Sequence, residues 1–126
     1  MSSLTVREAL VTALRSVLEP EVKVHVGRVP QKSSLPYVVV ASTVAADTAR
    51  LTDMQRETTR IYVYSDSPTD VELMTALETI RGALHGKRLT LDSGHLVGLR
   101  VRNITALSEV DEDAFTGLVT VEALHQ

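Results

Sequence analysis

The chain has 126 residues, 44% of them apolar and 23% charged, a balance that fits one soluble globular domain spanning 1–126 and excludes a disordered or fibrous polymer. Its formal charge of −3 argues against tight non-specific nucleic-acid binding, and the absence of cysteine excludes disulfide staples and thiolate metal sites. Aromatic residues are only 3%, so the expected core is aliphatic.

Thr5-Val6-Arg7-Glu8 matches a capping box, and the helix expected after it carries Val6, Ala9, Leu10, Ala13, Leu14, Val17 and Leu18 on one face. Arg7 and Glu8 interrupt the apolar residues there, so no signal peptide is expected and synthesis in the cytoplasm is. Glu19-Pro20 stops the helix. Val22, Val24 and Val26 alternate with Lys23 and His25, which predicts a short edge strand.

A polar connection from Gly27 to Leu35 leads to Pro36-Tyr37-Val38-Val39-Val40, a β-branched strand whose consecutive valines imply cover on both faces. The run Tyr37 to Ala41 is the longest apolar one, far short of the ~20 residues a membrane-spanning helix needs. Ala45 to Gln55 reads as a long hairpin loop in which Leu51 and Met54 stand among Asp47, Arg50 and Asp53. Thr58, Arg60, Tyr62 and Tyr64 then alternate with Thr59, Ile61 and Val63 as a half-buried strand.

Ser67 is placed to cap a second helix, with Pro68 at its first position and Asp70 in its first turn. Val71, Met74, Leu77, Ile80 and Leu84 form its predicted apolar stripe, and Gly86 is suited to end it in a left-handed conformation. Arg88 to Leu91 is a predicted short strand and Asp92-Ser93-Gly94 a turn. From His95 to Ala106, Leu96, Gly98, Arg100 and Arg102 share one strand face and Val97, Leu99, Val101 and Asn103 the other. An acidic turn from Ser108 to Thr116 precedes the last strand, Leu118 to Ala123. The order α-β-β-β-α-β-β-β predicts an α+β two-layer sandwich, a mainly antiparallel sheet with two helices packed on one face.

No chemistry emerges from this pattern. His25, His85, His95 and His125 are scattered without ligand spacing, and no glycine-rich phosphate loop or nucleophile elbow occurs. Ser93-Gly94-His95 fits a hairpin turn better than a nucleophile and its base, because neighbours on a tight turn point apart. Asp111, Asp113 and Glu122 stand at positions one, three and twelve of a calcium loop, but Phe115 and Thr116 break it, so a solvated acidic turn is expected. Arg100 and Arg102, with Lys87 and Arg88 nearby, lack the interleaved aromatics of a nucleic-acid platform and fit a solvated or salt-bridged sheet face. No catalytic residue, cofactor site or metal site is expected.

The ordered strings Val26-Gly27-Arg28-Val29-Pro30, Leu35 to Val40, Thr59 to Ser65, Ile80 to Gly86 and Leu96 to Arg100 resemble the tail-completion family of long-tailed bacteriophages, whose relatives occur in prophages and gene-transfer agents. The resemblance implies a non-enzymatic virion protein at the head-proximal end of the tail. Such proteins form rings, commonly of six copies, that cap the tail tube when it reaches full length and join it to the head connector. The implied partners are further copies of the chain, the tail tube protein and the connector, with DNA passing through the bore. Ring closure needs two different patches on each subunit. Arg50, Leu51 and Met54 on the long loop and Arg60, Arg100 and Arg102 on the polar sheet face are the candidate interface, and Asp111, Glu112 and Asp113 the candidate bore lining. The competing expectation is a small cytoplasmic α+β ligand-binding module or enzyme with a pocket between helices and sheet.

Overall fold

A long central strand organises the sheet, and one helix-covered face holds the core. The computed structural model describes residues 3–19, 22–27, 36–41, 44–49, 54–65, 71–86, 96–108 and 115–125. The elements are α1 (Ser3–Leu18), β1 (Lys23–Val26), β2 (Tyr37–Val40), β3 (Val44–Ala49), β4 (Met54–Ser65), α2 (Val71–Leu84), β5 (Leu96–Ser108) and β6 (Phe115–His125). The sheet runs β1-β2-β4-β6-β5, with β3 also paired to β4. All pairs are antiparallel except β1 with β2. That exception makes the sheet mixed: residues 27–36 carry the chain from the end of β1 back to the start of β2, so the two strands run the same way.

The loop expected at Ala45 to Gln55 is largely strand. β3 pairs with the first half of β4, Val44 opposite Thr58 and Ala49 opposite Met54, while β2 pairs with the second half, Tyr37 opposite Tyr64 and Val40 opposite Ile61. The Ala41 amide donates to the Arg60 carbonyl at 2.9 Å between them. β2 and β3 together line one edge of β4. Alanine-rich β3 has low strand propensity, and the ladder groups of β4 hold it extended. A register shift between Asp47 and Ala49 bends it. Arg50 and Leu51 lie outside the described residues, as do Arg88 to Leu91, Ser67 to Asp70 and Asp111 to Asp113.

α1 packs against α2 and β1, and α2 lies over β4, β5 and β6. The core joins Val6, Leu10, Leu14 and Leu18 of α1 and Leu73, Leu77, Ile80 and Leu84 of α2 to Val24, Val38, Val40, Ile61, Val63, Val119 and Val121 of the sheet. Two sequence expectations shift here. Thr5 is inside α1, not its cap, because the helix begins at Ser3. The buried stripe of α2 starts at Leu73 and includes Ala76, whereas Val71 and Met74 are 64% and 42% exposed. Leu73, Ala76, Leu77, Ile80 and Leu84 also follow three- and four-residue steps, and this set centres leucine on the sheet.

Gly86 ends α2 at φ 71°, with its amide donating to the Leu99 carbonyl at 2.9 Å. An L-residue meets a steric penalty in that region. Gly86→Ala is therefore expected to cost about 1 kcal/mol, read as a lower urea midpoint at unchanged slope.

Candidate interaction face

Strand alternation gives the sheet two different faces. On β4, Glu57, Thr59, Ile61, Val63 and Ser65 are buried on the helix side, while Arg56, Thr58, Arg60, Tyr62 and Tyr64 lie on the other. No helix among the described residues covers this second face. It divides into a cationic end and an aromatic end.

At the cationic end, Glu122 of β6 stands opposite Thr58 on β4 and Arg100 on β5. Its carboxylate accepts from Arg102 Nη1 at 2.9 Å and Arg100 Nη2 at 3.5 Å, and Arg56 Nε lies 3.6 Å away. The carboxylate side chain is 8% exposed, while the three arginine side chains are 48–61% exposed. Cations therefore roof an anion, and their outer surfaces meet solvent. Arg60 adds a fourth guanidinium on the same face, with no ion pair among the described residues. β5 reaches this arrangement through a register shift between Val101 and Asn103, which inserts Arg102 as an extra residue and returns Ile104 to the helix side opposite Val119.

At the aromatic end, Tyr37 and Tyr64 are direct cross-strand neighbours with ring centroids 5.1 Å apart. Tyr62 stacks on Tyr64 at 6.5 Å and His25 meets Tyr37 edge-on at 5.6 Å. All three tyrosines of the chain are thus in one patch. They also explain the consecutive valines of β2: Val38 and Val40 join the helix-side core, and Val39, 8% exposed, is covered on the other side.

The outer strands β1 and β5 have backbone groups near their middles bonded outside the sheet. On β1 the Val24 amide donates to Glu19 Oε2 and its carbonyl accepts from Arg15 Nη2 at 3.2 Å. On β5 the Val101 amide donates to His85 Nδ1 at 3.1 Å, beside the bond from Gly86 to Leu99. Strand addition at either edge would have to displace these bonds.

The groove between the helices offers little by comparison. It encloses about 390 Å³, lined by Val17, Leu18, Val22, Thr75, Ala76 and Thr79. Its carboxylate, Glu72, accepts from Ser65 Oγ at 2.6 Å, which ties the end of β4 to the first turn of α2. Among the described residues, no group of three or more His, Asp or Glu is placed to hold a metal ion, and no helix is long and apolar enough to cross a membrane.

Of the interface candidates, Arg60, Arg100 and Arg102 share the open face, and Met54 opens β4 on the hairpin arm. Missing from the sequence reading were Arg56, Glu122 as the shared acceptor, and the tyrosine row. Each depends on which strands are neighbours and in what register.

Comparison with known proteins then decides the family. Residues 5–126 match the family described as tail completion protein gp17. The chain belongs to that family. This tail completion protein is a structural component of a phage-type tail, and its place is the virion tail. A chain from the structure of the virion of a native gene transfer agent particle superposes with a TM-score of 0.80 at 21% identity, covering 96% of this chain and 94% of that one. A second solved chain reaches a TM-score of 0.60 at 15% identity, covering 98% and 92% respectively. At these identities the likeness is one of fold. No significant match is found among curated protein sequences.

Proposed function

We propose that the chain closes into a ring, of six copies as the family resemblance implies, that caps the finished tail tube, ends its elongation and joins the tail to the head connector. What carries this reading is the uncovered sheet face. Its charged and aromatic side chains hold one another in place before any partner arrives, and backbone groups near the middles of the outer strands β1 and β5 are already bonded. Contacts through a face and an arm, instead of through edge pairing, suit a subunit that must dock repeatedly without polymerising through its β-sheet.

In this reading the β3–β4 hairpin is the arm, with Arg50, Leu51 and Met54 at its end meeting the neighbouring subunit or the last ring of tube protein. DNA passes the bore without sequence-specific binding, in keeping with a net charge of −3. Replacing residues 50–53 by Asn-Gly would shorten the arm while leaving a two-residue turn suited to a hairpin. The expected product unfolds cooperatively like the parent, yet forms no rings by native mass measurement or negative-stain imaging and joins no tails to heads. Normal rings from the shortened chain would remove the arm from the interface.

A further inference from the structure

The open face concentrates positive charge in a chain that is acidic as a whole. Among the described residues it carries Lys23, Arg56, Arg60, Arg100 and Arg102 against Glu122 alone, although the sequence holds 13 Lys and Arg and 16 Asp and Glu. The net charge of −3 therefore says little about this face, because charges are sorted between surfaces.

The four arginines form a flat patch. Arg56 and Arg60 are four residues apart on β4, about 13 Å, and Arg100 and Arg102 lie two strands away, about 10 Å. The cross-strand row Arg60, Thr120 and Asn103 sets a hydroxyl and an amide beside the row Thr58, Glu122 and Arg100. Glu122 positions three of the guanidinium groups yet leaves those side chains 48–61% exposed, so each keeps N–H groups for a further anion.

Guanidinium, hydroxyl and amide side chains are the groups that contact nucleic-acid phosphates, and a strand of DNA advances about 3.4 Å per phosphate, so the patch spans about three of them. A second copy fits less well: the carboxylates exposed on the described helices, Glu8 of α1 and Glu78 of α2, stand on separate helices and form no matching face. The tyrosines at the other end pack on one another and are not open platforms for unpaired bases, which favours a duplex over a single strand. We infer that the cationic end of the open face, Arg56, Arg60, Arg100 and Arg102, binds the phosphate backbone of duplex DNA. A flat sheet surface without a projecting element reads no base edges, so the binding carries no sequence preference. The inference goes beyond the ring reading and does not need it; the aromatic end and the hairpin arm remain for protein contacts.

Fluorescence anisotropy of a labelled duplex of about 20 base pairs, titrated with the full chain between about 50 and 200 mM salt, tests it. The logarithm of affinity is expected to fall against the logarithm of salt with a slope of about −3, and duplexes of unrelated sequence to bind within about twofold of each other. R60Q/R100Q, which leaves the Arg102–Glu122 bond in place, should lower affinity at about 50 mM salt by roughly tenfold or more and reduce the slope by about two. Arg81→Gln, on the exposed side of α2, removes a charge from the opposite layer and should bind like the wild type. Absence of binding at low salt, or equal losses for Arg81→Gln and R60Q/R100Q, would overturn the inference. Tighter binding of a single strand would overturn the duplex, and competition by poly-glutamate as strong as by unlabelled duplex would make the occupant an acidic protein. Low-salt self-association that R60Q/R100Q abolishes, with no duplex bound, would give the patch to a second copy. Rings that ignore DNA would overturn this inference alone and leave the ring reading standing.

Discussion

Leu77→Ala is expected to cost about 3 kcal/mol and Gly117→Ala about 1–2 kcal/mol, but the two together less than their sum by about 1 kcal/mol. Leu77 is fully buried at the centre of the α2 stripe, so its truncation loses apolar transfer free energy and leaves a cavity. Gly117 lies on β6 directly beneath it. A methyl group at Gly117 would come within 2.9 Å of Leu77 Cδ2 and 3.1 Å of Leu77 Cδ1 and Leu73 Cδ1, closer than packed carbons tolerate. Glycine here lets the helix approach the sheet. When Leu77 is already alanine, the new methyl enters space that the leucine vacated and fills part of the cavity instead of straining the helix. Urea unfolding of the four proteins at constant slope measures the coupling. Strict additivity would mean that α2 does not rest on Gly117.

Local grammar made most of the elements readable before the sheet was known. α1, the edge strand β1, the strand Tyr37–Val40 and the end of α2 at Gly86 follow from periodicity, β-branching and a residue free to take positive φ. The face of α2 was less readable, because both Val71 with Met74 and Leu73 with Ala76 lead into Leu77 and Ile80 at helical spacing. Packing against β6 selects the set that puts leucine over Gly117. β3 was invisible for a different reason. Its alanines and Asp47 carry no strand signal, and pairing with β4 alone makes it extended.

Register explains what was missed in the interaction face. Arg100 and Arg102 are legible as two residues on an exposed strand, but Arg56 and Glu122 belong with them only once β4, β6 and β5 lie side by side with Thr58, Glu122 and Arg100 in one row. The tyrosine row follows the same rule, since Tyr37 and Tyr64 meet through the pairing of β2 with β4. Sequence order separates these residues. The central strand brings them together.

Glu122→Gln is expected to lower stability by about 2 kcal/mol at low salt, the second large effect, while Arg100→Gln should cost less than about 0.5 kcal/mol. The asymmetry comes from burial and from number. Glu122 is 8% exposed and serves three guanidinium groups, so glutamine keeps its shape yet leaves Arg56, Arg100 and Arg102 repelling one another across the row. Arg100 is 61% exposed and 3.5 Å from the carboxylate, and its loss leaves the 2.9 Å bond from Arg102 in place. Salt supplies the sign test. Screening weakens attraction in the wild type and repulsion in Glu122→Gln, so raising ionic strength from about 0.05 M to about 0.5 M should narrow the gap between their thermal midpoints. A gap that is unchanged or widens would mean that the arginines stand apart without the carboxylate, and that Glu122 does not assemble the face.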